Sequence, residues 1–397
     1  MEAAAVGLTT ITARDLEAHV NFLASDVTAG RGTGQPGLQV AAEYIATQFR
    51  RFGLEPIGSE GSYFQKFELL KTRLTDNIRL VMIEKEADGW SREKFQYNED
   101  FFVSPQGLTG STETQAPIVF AGYGITAPDY DWDDYAGADV ERKAVLIIDG
   151  QPEIPGSDYF TGEAETHVGD VMEKVITARE NGASAIVIAF NPRSEVLFSD
   201  RMKRWERWLT QDAMSLPSPI SPAPVFFINK RTANRLLSVL GKSLMQIQEE
   251  VETGISGSTI LPGTNLLFSV ELEKETVVTQ NVVGYLSGAD LELNKETVIF
   301  SAHYDHLGVD EEGTIWSGAD DNGTGTSAIL EIADAITSNP KRAKRSFLFL
   351  AVAGEEKGLL GSSYYTNHPL IPLEQTITDL NIDMIGRNAP DSIYIIG

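Results

Sequence analysis

Four short blocks in the last hundred residues concentrate the side chains that can do chemistry. They read Ser301-Ala302-His303-Tyr304-Asp305-His306, Gly318-Ala319-Asp320-Asp321-Asn322-Gly323, Gly354-Glu355-Glu356 and Asn381-Ile382-Asp383-Met384. His303, Asp321, Glu356 and Asp383 together offer one imidazole and three carboxylates. That is a ligand set for one or two divalent metals, with Glu355 left over as a general base. Taken singly each block is bland. An Asp-Asp-Asn-Gly run is usually a turn, and a Glu-Glu pair is usually exposed. Their joint placement at the ends of apolar runs is what gives the metal reading its weight.

Those runs are the elements that must position the groups. Asn281–Leu286 and Thr297–Ser301 read as strands, and Ser346–Ala353 is apolar throughout, as a strand covered on both faces should be. A helix between them has Ile329, Ile332, Ala333 and Ile336 on one side. Alternating strands and helices predict an α/β fold with a mixed, mostly parallel sheet flanked by helices. In such sheets ligands bind beyond the carboxyl ends of the strands, where His303, Glu355, Glu356 and Asp383 fall.

Spacing also separates roles. Alternate residues of an extended chain point the same way, so Asp305 can accept the second imidazole N–H of His303. Glu355 and Glu356 point differently, so one can ligate while the other faces a water as base. A carboxylate such as Asp321 can bridge two ions about 3.5–4 Å apart. Of the remaining histidines, His306 reads as a group behind the ligands and His368 as a loop residue. His19 and His167 read as structural.

Upstream, Thr12-Ala13-Arg14-Asp15 is a capping-box start for a helix with Leu16, Val20 and Leu23 inward. A second helix should begin near Pro36 with Leu38, Ala41, Ile45, Phe49 and Phe52 inward, and stop at Gly53. The glycine-rich loop Gly30–Gly34 lacks a preceding strand and a Walker lysine, so it reads as a plain connection. Strand-like runs between Asn77 and Val103 give way to a stretch from 115 to 255 with its own α/β texture. A link around Gly254-Ile255-Ser256-Gly257 follows. Arg201–Trp208 is a basic, aromatic segment in an acidic chain. It reads as a solvated helix whose tryptophans pack on their own domain, with a lid or docking surface as the alternative.

The 397 residues are too many for one ordinary core. A formal charge of −25 argues against nucleic acid or an anionic membrane as partner. The chain has no cysteine, which removes disulfides, thiolate ligands and a thiol nucleophile. No run is long and apolar enough to span a bilayer. The first residues lack a basic region and an apolar core, so the expectation is a cytoplasmic protein or one whose leader has been removed.

The four blocks, extended to Ala302–Gly308, Gly318–Gly325, Ala353–Ser362 and Asn381–Met384, resemble the successive metal-site blocks of the zinc aminopeptidases related to bacterial leucyl aminopeptidase. Glutamate carboxypeptidase and the inactive transferrin receptor belong to the same superfamily. Leu16–Phe67 is similar to that family's opening, and Phe120-Ala121-Gly122-Tyr123-Gly124-Ile125 resembles part of an inserted protease-associated domain. The implied division is 1–114 and 256–397 for the peptidase domain and 115–255 for the insertion. The resemblance implies a co-catalytic pair of zinc ions acting on peptide or protein N-termini, outside the cytoplasm. His303 and Asp383 would hold one zinc, Glu356 the other, and Asp321 would bridge them. Glu355 would be the base and Asp305 the partner of His303, with a cis peptide at Asp321–Asn322. A carboxypeptidase, a glutaminyl cyclase or a non-catalytic binding ectodomain are the alternatives on that scaffold. The family carries a further histidine ligand well downstream of Asp383, whereas this sequence ends at Gly397 with none. The expectation is a truncated chain with the Glu356 site one ligand short, fewer than two zinc ions and weak turnover.

Overall fold

The computed structural model describes the chain apart from residues 1–6, 155, 158–159, 161–165, 211, 255–257, 388, 390–391, 393 and 396–397, and the side chains of 205–210. The chain divides into two compact units. One comprises Met1–Leu70, Met214–Pro217 and Thr276–Gly397, the other Lys71–Ala213 and Ser218–Glu275. The expected 1–114 segment thus divides at Leu70. Residues beyond it join the second unit because Phe101–Ser104 pairs antiparallel with Val225–Ile228.

Each unit has a mixed sheet with a parallel centre. In the first unit, Thr297–His303 lies between Ser346–Val352 and Thr376–Asn381, parallel to both. Residues 282–286 add antiparallel to the far side of Ser346–Val352. That strand is almost wholly buried, as its unbroken apolar run requires. Helix Pro36–Arg51 buries Leu38, Ala41, Ile45 and Phe49 against Val282, Ala302, Phe349 and Ala351. Each large apolar side chain so buried contributes about 1.5–3 kcal/mol. The helix ends where Gly53 adopts φ +77° and its N–H reaches the Arg50 carbonyl.

Helix Ala13–Leu23 is capped by Thr12, whose Oγ1 accepts from the Asp15 N–H. Its inward face carries His19, which contacts Tyr44 Oη at 2.8 Å and Glu331 Oε1 at 3.2 Å. Burial holds the His19 pKa below its ordinary value and that of Glu331 above. His19 is therefore a structural residue. It ties this helix to Gly325–Thr337, the helix that follows the Asp321 loop.

In the second unit, Thr112–Phe120, Ala144–Ile148, Ala185–Ala189 and Val225–Ile228 run parallel in that order. The helix Phe198–Thr210 contains the basic, aromatic segment, and the side chains of Trp205–Trp208 lie outside the described residues. The link residues 255–257 also lie outside them. The Gly122-Tyr123-Gly124-Ile125 turn wraps a buried carboxylate: Asp134 Oδ2 accepts from the N–H groups of Tyr123 and Ile125, both at 3.0 Å. Gly122 has φ +49°, and a Cβ there would strike that carboxylate.

Burial pushes the Asp134 carboxyl up to about 6, against the pull of its hydrogen bonds and of Lys174. The folded state therefore holds this proton more tightly than the unfolded chain, whose carboxyl titrates near 3.8. The resulting stability is fully present below pH 4 and is lost as pH rises through 6, on the order of 3 kcal/mol in all. Asp134→Asn keeps an acceptor and removes the titration. Wild-type unfolding free energy, measured relative to Asp134→Asn by denaturant titration, is expected to fall between pH 4 and pH 6. A pH-independent difference would remove Asp134 as the cause.

Candidate metal centre

The site forms at the carboxyl ends of the three parallel strands of the first unit. His303 is the last residue of its strand, Glu355 lies three residues beyond Val352, and Asp383 lies two beyond Asn381. The Ile382 N–H donates to Ser301 O at 2.9 Å, which carries the edge-strand pairing up to Asp383. Asp321 sits in the turn before helix Gly325–Thr337, and the Asp321–Asn322 peptide is cis.

Asn322, fully buried, holds this turn to the Asp383 segment. Its Nδ2 donates to Ile382 O at 2.9 Å, and its Oδ1 accepts from Gly325 N at 2.8 Å. A Cβ at Gly325 would meet the Ile382 carbonyl oxygen and Asn322 Oδ1, so the backbones approach this closely only with glycine there. Asp320 and Asp321 face different ways. Asp320 Oδ1 accepts from Gly386 N and its Oδ2 pairs with Arg387. Asp321 faces the histidines.

His303 is 3% exposed, and its Nε2 makes no hydrogen bond of good geometry. That nitrogen faces Asp321 Oδ1 at 3.2 Å, Asp383 Oδ1 at 3.3 Å and Glu355 Oε2 at 3.9 Å. A tetrahedral ion with ligands at about 2.0–2.1 Å needs its donors about 3.3 Å apart. The first two distances match that edge, so His303, Asp321 and Asp383 fit a metal ion. Burial lowers the His303 pKa, but Asp305, Glu355 and Asp383 outweigh it and push it up to about 9. The surrounding carboxylates thus favour positive charge at this position. Asp321 and Glu355 are held above the ordinary carboxylate range, by burial first and then by neighbouring carboxylates.

Asp305 acts differently from the simple alternation argument. His303 Nδ1 lies 3.2 Å from the Asp305 carbonyl oxygen and 3.8 Å from its carboxylate. The buried carboxylate instead accepts from Thr33 Oγ1 at 2.8 Å and from Glu355 N at 3.1 Å. It thereby aligns the backbone at Glu355, and its carbonyl orients His303.

The glycine-rich loop, read above as a plain connection, braces the whole site. Arg31 is fully buried with φ +52°. Its guanidinium donates to the carbonyls of Tyr304 (2.7 Å), Ser317 (2.8 Å), Gly318 (2.7 Å) and Leu23. Burial lowers its pKa to about 10, opposed by Asp305, Asp321 and Glu356. It brings positive charge to a carboxylate-rich site. A Gly-Arg-Gly run gave a local hint of unusual backbone, but nothing in the sequence pairs Arg31 with carbonyls near residues 304 and 318.

His306 is part of the site. Its Nδ1 lies 2.6 Å from Glu356 Oε1 and 3.8 Å from Asp321 Oδ2. The other histidines stand elsewhere. His368 stacks on Tyr364 with centroids 4.4 Å apart, and His167 packs edge-on against Tyr130.

Residues 281–397 match the model of peptidase family M28. Aminopeptidase YwaD of Bacillus subtilis (strain 168) is 35% identical over 111 residues, 28% of this chain and 22% of that protein. A probable leucine aminopeptidase 2 of Aspergillus oryzae is 32% identical over 149 residues, 37% of this chain and 27% of that protein. The chain thus spans only about a quarter of the length of these curated relatives. Among solved structures, an aminopeptidase from Aneurinibacillus sp. strain AM-1 aligns over 94% of this chain and 70% of its own, at 20% identity and TM-score 0.47.

Proposed function

We propose that this chain, related through residues 281–397 to the zinc aminopeptidases of peptidase family M28, is a zinc-dependent aminopeptidase that hydrolyses N-terminal peptide bonds. The observation carrying this reading is the buried, unbonded His303 Nε2 set at tetrahedral-edge distances from Asp321 and Asp383. His303, Asp321 and Asp383 would hold zinc. Zinc bound there would supply Lewis acidity, lowering the pKa of water and polarising a carbonyl.

The protein's own groups do the rest. Glu355 takes a proton from the attacking water and returns it to the leaving amine. Its side chain is about one-third exposed, so it can meet a substrate. Its backbone is fixed by Asp305, which is in turn fixed by Thr33. Arg31 and Asn322 keep the contributing loops in register without reaching the reacting atoms.

The test is zinc content by atomic emission, combined with hydrolysis of a panel of aminoacyl-p-nitroanilides. Release of nitroaniline that a chelator abolishes and zinc restores is the expected result. A protein that takes up no metal, or hydrolysis indifferent to chelation, would overturn the proposal.

A further inference from the structure

We propose that Asn281 is a positioning residue for the general base: its side-chain amide clasps both ends of the segment 354–360 and so fixes where Glu355 stands. The inference rests on the reading of Glu355 as the base and deepens it.

The segment joins strand Ser346–Val352 to the helix Leu360–Asn367 and carries Glu355 and Glu356. It continues neither element. Gly354, Gly358 and Leu359 take φ of +73°, +105° and +58°, left-handed backbone that neither a strand nor a helix uses. Three bonds close its own turns. Gly358 N–H and Leu359 N–H donate to Glu355 O at 2.9 and 3.0 Å, and Leu360 N–H donates to Gly354 O at 2.9 Å. These bonds give the segment a shape. They do not set where that shape sits on the sheet.

Asn281 does. Residues 282–286 run antiparallel to Ser346–Val352 with Val282 opposite Ala351, so the residue before Val282 falls beside the carboxyl end of that strand. Asn281 is fully buried there. Its Oδ1 accepts from Ala353 N–H at 3.1 Å, just before the segment, and its Nδ2 donates to Gly361 O at 2.9 Å, just after it. Nδ2 also donates to Gln65 Oε1 at 3.0 Å, and Gln65 in turn donates to His368 O at 2.7 Å. One amide thus uses its oxygen and both its N–H groups. Gly361 is the matching piece, because a Cβ there would strike Ala353 O and Asn281 Oδ1. With both ends set, Glu355 N–H meets the Asp305 carboxylate at 3.1 Å, and Glu355 Oε2 stands 3.9 Å from His303 Nε2. An asparagine that served packing alone would be replaceable by leucine, whereas leucine here leaves three buried polar groups without their partner.

The test compares wild type, Asn281→Leu, Gly361→Ala, Glu355→Gln and the double variant Asn281→Leu with Glu355→Gln. Each is assayed for kcat and KM on an aminoacyl-p-nitroanilide at saturating zinc. Amide hydrogen exchange of the metal-free proteins, read by mass spectrometry, gives a second measure, and near-UV circular dichroism checks folding. Asn281→Leu is expected to lower kcat about 10²-fold, the effect of misplacing a reacting group by roughly an ångström, with KM changed less than about threefold. In the Glu355→Gln background the same substitution should cost less than about threefold, because the group it positions is already gone. Gly361→Ala should lower kcat with Asn281 still in place. In both single variants exchange should quicken over 353–361 and stay slow over 346–352. If Asn281→Leu does not fold, Asn281→Asp takes its place in the same comparison: an ionised aspartate keeps the acceptor toward Ala353 and loses both donors. Equal losses of kcat with and without Glu355 would overturn the inference and make Asn281 a general structural residue. So would unchanged exchange over 353–361 in both single variants. Turnover within tenfold of wild type in Glu355→Gln alone would instead overturn the base reading on which the inference rests.

Discussion

Glu355→Gln is expected to lower turnover of aminoacyl substrates by about 10²–10⁴-fold, the range for loss of a general base. Metal content and KM should change little. The reasons are geometric. Glu355 Oε2 stands 3.9 Å from His303 Nε2, farther than the 3.2 and 3.3 Å of Asp321 and Asp383, and it stands outside the donor group of His303, Asp321 and Asp383. Glutamine keeps the length and shape of the side chain, and the bond from its backbone N–H to Asp305 is untouched. What disappears is the capacity to accept and return a proton. Zinc analysis beside steady-state kinetics separates the alternatives. Turnover within tenfold of wild type would remove Glu355 from the base role, and lost zinc would make it a ligand instead.

Asp321→Ala should have the broadest effect, because one carboxylate faces both imidazoles. Its loss is expected to abolish high-affinity metal binding, not to halve it, and to take activity with it. Thermal unfolding gives a readout that does not depend on substrate. Zinc at a hundred times its dissociation constant should stabilise the wild type by about 2.7 kcal/mol and the variant not at all. Burial and the Glu356 charge hold the Asp321 pKa above its ordinary value, so removing this carboxylate relieves crowding in the metal-free protein. The variant without metal should therefore be no less stable than metal-free wild type. Asp320→Ala is the control: Asp320 is committed to Gly386 and Arg387, so zinc uptake should persist. Retained high-affinity metal binding in Asp321→Ala would remove this carboxylate from the ligand set.

Much of the scaffold was legible because it is periodic and local. The Pro36–Arg51 helix follows its 3.6-residue apolar spacing: Leu38, Ala41, Ile45 and Phe49 are buried as the spacing named, Ala42 and Ala46 are buried with them, and Phe52 is only partly buried. The Thr12 cap and the buried strand at Ser346 follow from equally local rules. His19 shows the limit. The spacing places Leu16, Val20 and Leu23 inward; Leu23 is buried as expected, Leu16 and Val20 are only partly buried, and His19 is buried beside Leu23. A buried imidazole there requires Glu331, more than three hundred residues away.

The sequence by itself determined the chemistry available at the site. Residue type sets which atoms can ligate, and apolar runs set which residues fall at strand ends. Only the tertiary structure decided how those atoms are shared. It turned Asp321 toward both imidazoles, used the Asp305 carboxylate to hold Glu355 and Thr33, and brought His306 against Glu356. It also buried Arg31 among backbone carbonyls. The physical reason is common to these cases. Hydrogen bonds to carbonyls and ångström-scale placement of donors depend on how separate loops meet, and backbone carbonyls are chemically alike at every position in a sequence.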